Sequence, residues 1–410
     1  MTIVLSKNKL LYGFVFIVIL LNTIFEQYVP VLKYLDETAT ILSLGYIFIY
    51  LAGVKRFQSV KYILMLLLVT IITGVAGNIF WKYQESIVAI LKDILAYVKA
   101  PIIACALIMR KGINNKDDDQ ALDAAYIISK CFVTVVFIFG IVSLVKDIGM
   151  SYDFRRGIFS FKFLYSHPTF LASSLVLASV VLVAYDKDSF KSKLLFYMET
   201  VITLILTMRD KAIAYAVLFI ILVFLLPNLH KVRKITILIA SGMAFVFAYF
   251  ISRSKIQEYL TWSWSPRAAL YTNGISVLKN CFPIGSGFAT FASSISGEYY
   301  SKLYYLFGMN MKPGVGPGDY VDLSDAGMAY YIAQFGILGL ILFIAVLTLI
   351  FKEALFIYRN QNGKVKATIL ILGYIIVSIL FETVLTNESG ATSMIVLMIY
   401  LGARTDYHKS

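Results

Sequence analysis

The chain is 410 residues long, 59% hydrophobic and 15% charged, with a mean hydropathy of +0.79. Soluble domains run near 45–50% apolar and roughly 25% charged, so this composition excludes an ordinary soluble domain. The net charge of +13 would suggest nucleic acid in a soluble protein; in a membrane protein, cytoplasmic loops rich in Lys and Arg account for it, and no nucleic-acid partner is inferred.

The apolar residues collect in runs of roughly 17–24, each long enough to cross about 30 Å of hydrocarbon as helix. In chain order they predict twelve spans, near 9–29, 38–54, 60–78, 86–109, 122–145, 164–185, 192–208, 211–227, 233–252, 326–351, 366–384 and 389–403. The expected fold is therefore all-α, a polytopic membrane protein of about twelve transmembrane helices. No small-residue cleavage site follows the first run, Lys9 to Val29, so it reads as an uncleaved span. Placing both termini in the cytoplasm puts twenty basic residues in or beside the tails and cytoplasmic connections, against eight in the short external ones, which sets the orientation. The chain then divides into residues 1–252 with spans 1–9, an external loop over 253–325 containing short helices, and residues 326–410 with spans 10–12 and a cytoplasmic tail. Aromatics in the long loop (Trp262, Trp264, Tyr299, Tyr300, Tyr304, Tyr305) suggest that it lies against the bilayer surface. No internal repeat relates the two halves, which counts against a secondary transporter.

Of three histidines, His230 and His408 fall on the cytoplasmic side in this topology. His167, in "LYSHPTFL" (residues 164–171), is then the external one. It is either an ordinary helix-start residue, with Pro168 in the first turn where its missing N–H costs little, or the imidazole of a reaction. Five of ten arginines are also placed outside: Arg155, Arg156, Arg209, Arg253 and Arg267. Arginine's planar fork suits phosphate oxygens, so they could hold a lipid's diphosphate; the alternative is snorkelling to headgroups, which suits Arg253. Charges within spans invite a functional reading. Lys99 and Glu199 lie at similar depth and are expected to pair, while Lys92 and Asp93 are shallower and could line an outer cavity. Asp325, just before span 10, either caps that helix or faces the cavity of His167 and the arginines. Cys105, Cys131 and Cys281 form no metal-ligand spacing and no disulfide framework, and no spacing calls for a metal or another cofactor.

Four stretches carry a resemblance. They are "RRGIFSFKFLYSHPTFLASSL", "LTMRDKAIAYAV", "RAALYTNGISVLKNCFPIGSGFATF" and "SDAGMAYYIAQFGILGLILF". In this order, over about residues 155 to 345, they resemble the bacterial O-antigen and capsular-polysaccharide polymerases (Wzy-type), which are related to the O-antigen ligases. Met208 stands where the family's turn usually has Ser. Ligases typically show a His where the long loop returns to the membrane, and here that region reads "LSDAG", which favours a polymerase. The resemblance implies a glycosyltransferase of the cytoplasmic membrane, acting in O-antigen or capsule biosynthesis. Its donor and acceptor would be undecaprenyl-diphosphate-linked oligosaccharides, its neighbours a flippase and a chain-length regulator. Arg156, Arg209 and Arg267 would hold the diphosphate, with Arg155 beside them. His167 would be the first candidate base and Asp325 the second. An O-antigen ligase or a lipid-linked oligosaccharide flippase are the rival readings.

Overall fold

The computed structural model describes residues 7–51, 58–113, 117–226, 229 and 265–402. It is an array of helices: α1 Lys7–Phe25, α2 Leu35–Leu51, α3 Gln58–Trp81, α4 Ile87–Ile113, α5 Asp118–Val145, α6 Pro168–Ala184, α7 Phe190–Leu206 and α8 Asp210–Ile220. After these come α9 Pro266–Asn280, the short α10 Ser294–Glu298 and α11 Lys302–Leu306, then α12 Gly327–Tyr358, α13 Asn362–Ile379 and α14 Glu388–Ile395. Both α8 and α14 run on as a π turn, to Leu225 and Tyr400. Each expected span falls on a helix except 233–252, which lies outside the described residues. Five helices (α1, α3, α5, α12 and α13) are long and apolar enough to cross a membrane, as befits an all-α membrane protein.

Helices pack as neighbours in space rather than in sequence: α3 on α12, α2 on α4, α1 on α5, α6 on α13, α9 on α12. A two-stranded antiparallel hairpin, β1 Ser151–Arg155 and β2 Ile158–Phe161, joins α5 to α6 and departs from the all-helical expectation. Its turn is Arg156–Gly157, both with positive φ (50° and 90°), the backbone that two-residue hairpin loops require. Pro168 opens α6 at a position where no intrahelical N–H is missed, and the His167 side chain caps it.

The long connection does not simply rest on the surface. Residues 283–293 dip between α3, α4 and α12, with Phe288, Ala289, Phe291 and Ala292 fully buried. Irregular backbone survives within a helical bundle only where its polar groups find partners in the protein, and here they do. Asn78 exchanges two hydrogen bonds with Phe288, donating Nδ2–H to its carbonyl (2.9 Å) and accepting its N–H (2.8 Å). Asp93 Oδ2 accepts the Ala289 N–H at 2.7 Å, and Gln334 Nε2 donates to Phe291 O at 2.6 Å. The close fit needs glycines on both sides. A Cβ at Gly287 would lie 2.4 Å from Asn78 N, and one at Gly336, where α12 kinks, 2.1 Å from Pro283 O.

Three expectations about charges are corrected. Lys99 does not pair with Glu199: it bonds Asp36 (2.5 Å) and Glu37 (3.2 Å) of α2, while Glu199 accepts from the Thr134 hydroxyl. Similar depth was no guide, because α4 packs on α2. Lys92 and Asp93 do not share an outer cavity. Lys92 is exposed and pairs with Glu298 at 2.7 Å, whereas Asp93 is 1% exposed beneath the loop; successive helical residues point about 100° apart. Asp325 does not cap α12. Ala326 occupies that position, without a side-chain cap, and Asp325 turns to Arg267.

Candidate functional site

Contacts between connections bring several of them to one end of the bundle. Gln84, between α3 and α4, donates to Ala289 O and Tyr299 O of the long loop. Thr383, between α13 and α14, donates its N–H to Ser324 O at 3.1 Å. The β1–β2 hairpin and the three-residue turn between α7 and α8 complete this end.

Asp153 on β1 is the hub of the hairpin side. It accepts from Arg209 Nη2 (2.8 Å), from Arg155 Nε (2.6 Å) and from the Ser160 hydroxyl. Burial opposes ionisation, but the Ser160 hydroxyl and the two arginines hold the Asp153 carboxyl below its usual range. Arg209 follows Met208, which takes a left-handed φ of 51°, and its side chain is only 9% exposed. The Tyr152 ring lies under the Arg209 guanidinium at 5.5 Å and meets the His167 ring edge-on at 4.8 Å. Arg156, at the hairpin tip, reaches across to Asp210 of α8 at 2.5 Å.

His167 Nδ1 accepts the Thr169 N–H at 3.2 Å. Burial, then Arg209, and beyond it Lys211 and Arg155, push its pKa down to about 4 against the pull of Asp153. The ring is therefore neutral near pH 7, and with Nδ1 accepting, its one proton sits on Nε2. Nε2 is a donor in this arrangement.

On the other side, Arg267 at the start of α9 holds Asp325 twice, through Nη2 to Oδ2 and through Nε to the carbonyl, both at 2.7 Å. Burial raises the Asp325 pKa; Arg267 opposes this, while Asp322 and Glu382 add to it. Between the two sides stands Lys211 of α8, 6% exposed and paired with Glu382 at 2.6 Å.

His167, Arg155, Arg156, Arg209, Arg267 and Asp325 thus all belong to this end. Arg253 lies outside the described residues, Asp93 serves the buried loop instead, and Lys92 pairs with Glu298 on the surface. Sequence reasoning missed Asp153, Asp210, Lys211 and Glu382. Glu382 was discoverable, since it is an acid inside an expected span; Asp153 was not, because the hairpin that aims it at Arg209 was not foreseen. Chemically, the site offers strong anion donors, a neutral imidazole donor and carboxylates within one surface. No family model matches the chain, and comparison with curated proteins found no match.

Proposed function

We propose that this protein is a polymerase joining undecaprenyl-diphosphate-linked oligosaccharide repeat units at the outer face of the bacterial cytoplasmic membrane, to build O-antigen or capsular polysaccharide. One observation carries the reading: Arg155, Arg209, Lys211 and Arg267, paired with the carboxylates of Asp153, Glu382 and Asp325, gather with the His167 imidazole at a single end of the bundle. The orientation rests on the excess of basic residues in the tails and cytoplasmic connections over the short external ones; at the opposite end Arg110 and Lys111 pair with Asp118, and Lys187 with Asp123.

In this reaction a hydroxyl oxygen of the incoming unit attacks the anomeric carbon of the growing chain. The new C–O bond forms as the bond to the diphosphate breaks, the diphosphate leaves with that electron pair, and the anomeric configuration inverts. Arg209 and Arg267 stabilise the charge on the departing diphosphate, one such preorganised donor being commonly worth about 3–4 kcal/mol. Arg155 and Arg156 extend the same surface, and His167 adds its Nε2–H. The base is Asp325 rather than His167, because the free lone pair of the imidazole is committed to the Thr169 N–H. A diphosphate that draws Arg267 toward itself removes the cation that favours the Asp325 anion, which makes the carboxylate more basic when the hydroxyl proton must be taken. The energy resides in the sugar–diphosphate bond, so no nucleotide or metal is invoked.

Polymer length on cells lacking this chain, read on a gel with lipid-linked intermediates extracted in parallel, tests the proposal. A single capped repeat unit, with the lipid-linked unit accumulating outside, is the expected result. Long unattached lipid-linked polymer would instead mean a ligase, and units trapped on the cytoplasmic face a flippase. In complemented cells Arg209→Lys and Arg267→Lys are each expected to slow polymerisation about a hundredfold; normal chain length from both would remove the diphosphate clamp. Full-length polymer from Asp325→Asn would remove the base.

A further inference from the structure

Two half-buried acids near the cationic site take no part in the proposed reaction. Glu388 opens α14, Glu26 directly follows α1, and the Asn22 side chain of α1 lies against both. Asn22 is 3% exposed; its Nδ2 donates to Glu26 Oε1 at 3.2 Å, while its Oδ1 is buried without a donor.

The neighbouring elements do not supply one. Asp36 and Glu37 approach from α2, and Lys99 of α4 is committed to them at 2.5 and 3.2 Å. From α6 the Tyr165 hydroxyl faces Glu388 but donates to Leu20 O. Lys33, in the turn after α1, acts on Glu26, and Glu382, ahead of α14, is held by Lys211. One amide therefore serves two carboxylates, and its own carbonyl is left unpaired, which is costly for a buried acceptor. A carboxyl proton removes the deficit, since a protonated carboxyl donates and no longer repels its neighbour.

We infer that Glu388 and Glu26 hold one proton between them, and that this proton fastens the start of α14 to α1. Burial, then the Glu26 charge, raises the Glu388 carboxyl to about 7, against the Asn22 amide. The N-terminal end of α14 favours an anion by less than about one pH unit and does not cancel this. Glu388 also lines a small recess with Thr23 and Ser389, where water exchanges the proton. The device is placed to act on the cationic site. Only residues 383–387 separate Glu388 from Glu382, the partner of Lys211, and Thr383 among them bonds Ser324, next to Asp325. The lock is closed below the Glu388 midpoint and opens as pH rises through it. Opening leaves two like charges at the contact and loosens the hold of Glu382 on Lys211. Nothing in this depends on the polymerase reading.

Full-length protein in detergent is followed by infrared difference spectroscopy and by hydrogen exchange. The parent minus Glu388→Gln is expected to show one protonated carboxyl stretch that fades as pH rises through about 7. Glu26→Gln removes the neighbouring charge and should move that fading to lower pH. In the parent, protection of the amides at 389–393 should fall about tenfold by roughly pH 8, the most that one proton of that midpoint gives. Glu388→Gln keeps a donor without a charge, so there the same protection should not change with pH beyond the intrinsic exchange chemistry. Gel filtration identifies a variant that has lost its fold, and the other variant then decides. No carboxyl stretch in the difference, or fading that Glu26→Gln leaves in place, overturns the shared proton. Equal loss of protection in the parent and Glu388→Gln overturns the lock.

Discussion

His167 commits its Nδ1 to the Thr169 N–H, and that single bond governs what the other nitrogen can do. Its two roles, capping α6 and presenting Nε2–H, are separable by substitution. His167→Asn keeps a good capping acceptor, whereas His167→Ala loses it at a cost of about 1 kcal/mol. The pKa of about 4, against 6.5 for a free imidazole, has a thermodynamic consequence. Between those two values the unfolded chain binds a proton that the folded chain does not. Stability from this residue is therefore full above pH 6.5 and declines as pH falls toward 4. Melting of the purified protein should show that decline, and His167→Asn should flatten it; an unchanged pH slope in the variant would rule out His167 as its source. His167, the arginines and Asp325 were legible in the sequence, but their partners Asp153, Asp210 and Thr169 were not. Asp325 was read as either a helix cap or a group facing the outer cavity, because it ends the long loop just before a helix. Its bond to Arg267, 58 residues away, depends on where α9 lies.

At the scale of an element, the buried segment 283–293 leaves little room for change. Gly287 has φ +99° and backbone of α3 within van der Waals reach. Gly287→Ala is expected to cost about 3 kcal/mol or more, through strain and collision together. Gly318 has a similar φ, +85°, but open space around it, so Gly318→Ala should cost only about 1–2 kcal/mol. Denaturation monitored in detergent distinguishes them, and equal losses would show that the close approach of loop and helix contributes nothing. The stretch "CFPIGSGFATF" was recognisable in the sequence as a turn rich in Gly, yet its burial was not. Hydropathy averages over a window, and it cannot tell an apolar loop on the surface from one whose amides are answered by Asn78, Asp93 and Gln334. The hairpin 151–161 was missed for a related reason, since two strands of five and four residues leave too short an alternation to stand out beside twelve apolar runs.

For the whole molecule, the proposed orientation sets the end bearing His167 and the arginines outside and the end bearing Lys187 inside. Glu298→Cys and Lys187→Cys, on a background lacking the three native cysteines, separate the two faces. With a membrane-impermeant maleimide, Glu298→Cys should label in intact cells and Lys187→Cys only after permeabilisation; the reverse pattern would invert the topology and remove the site from the outer face.

By itself the sequence determined the class of molecule, the helix positions and the chemical types at the site, because hydropathy and side-chain identity are properties of local runs. Only the tertiary structure decided the pairings: Lys99 with Asp36 rather than Glu199, Arg267 with Asp325, and Lys211 with Glu382, the last 171 residues apart. Burying a charge is tolerable only where an opposite charge or a donor is brought against it, and which partner arrives is set by how the helices pack.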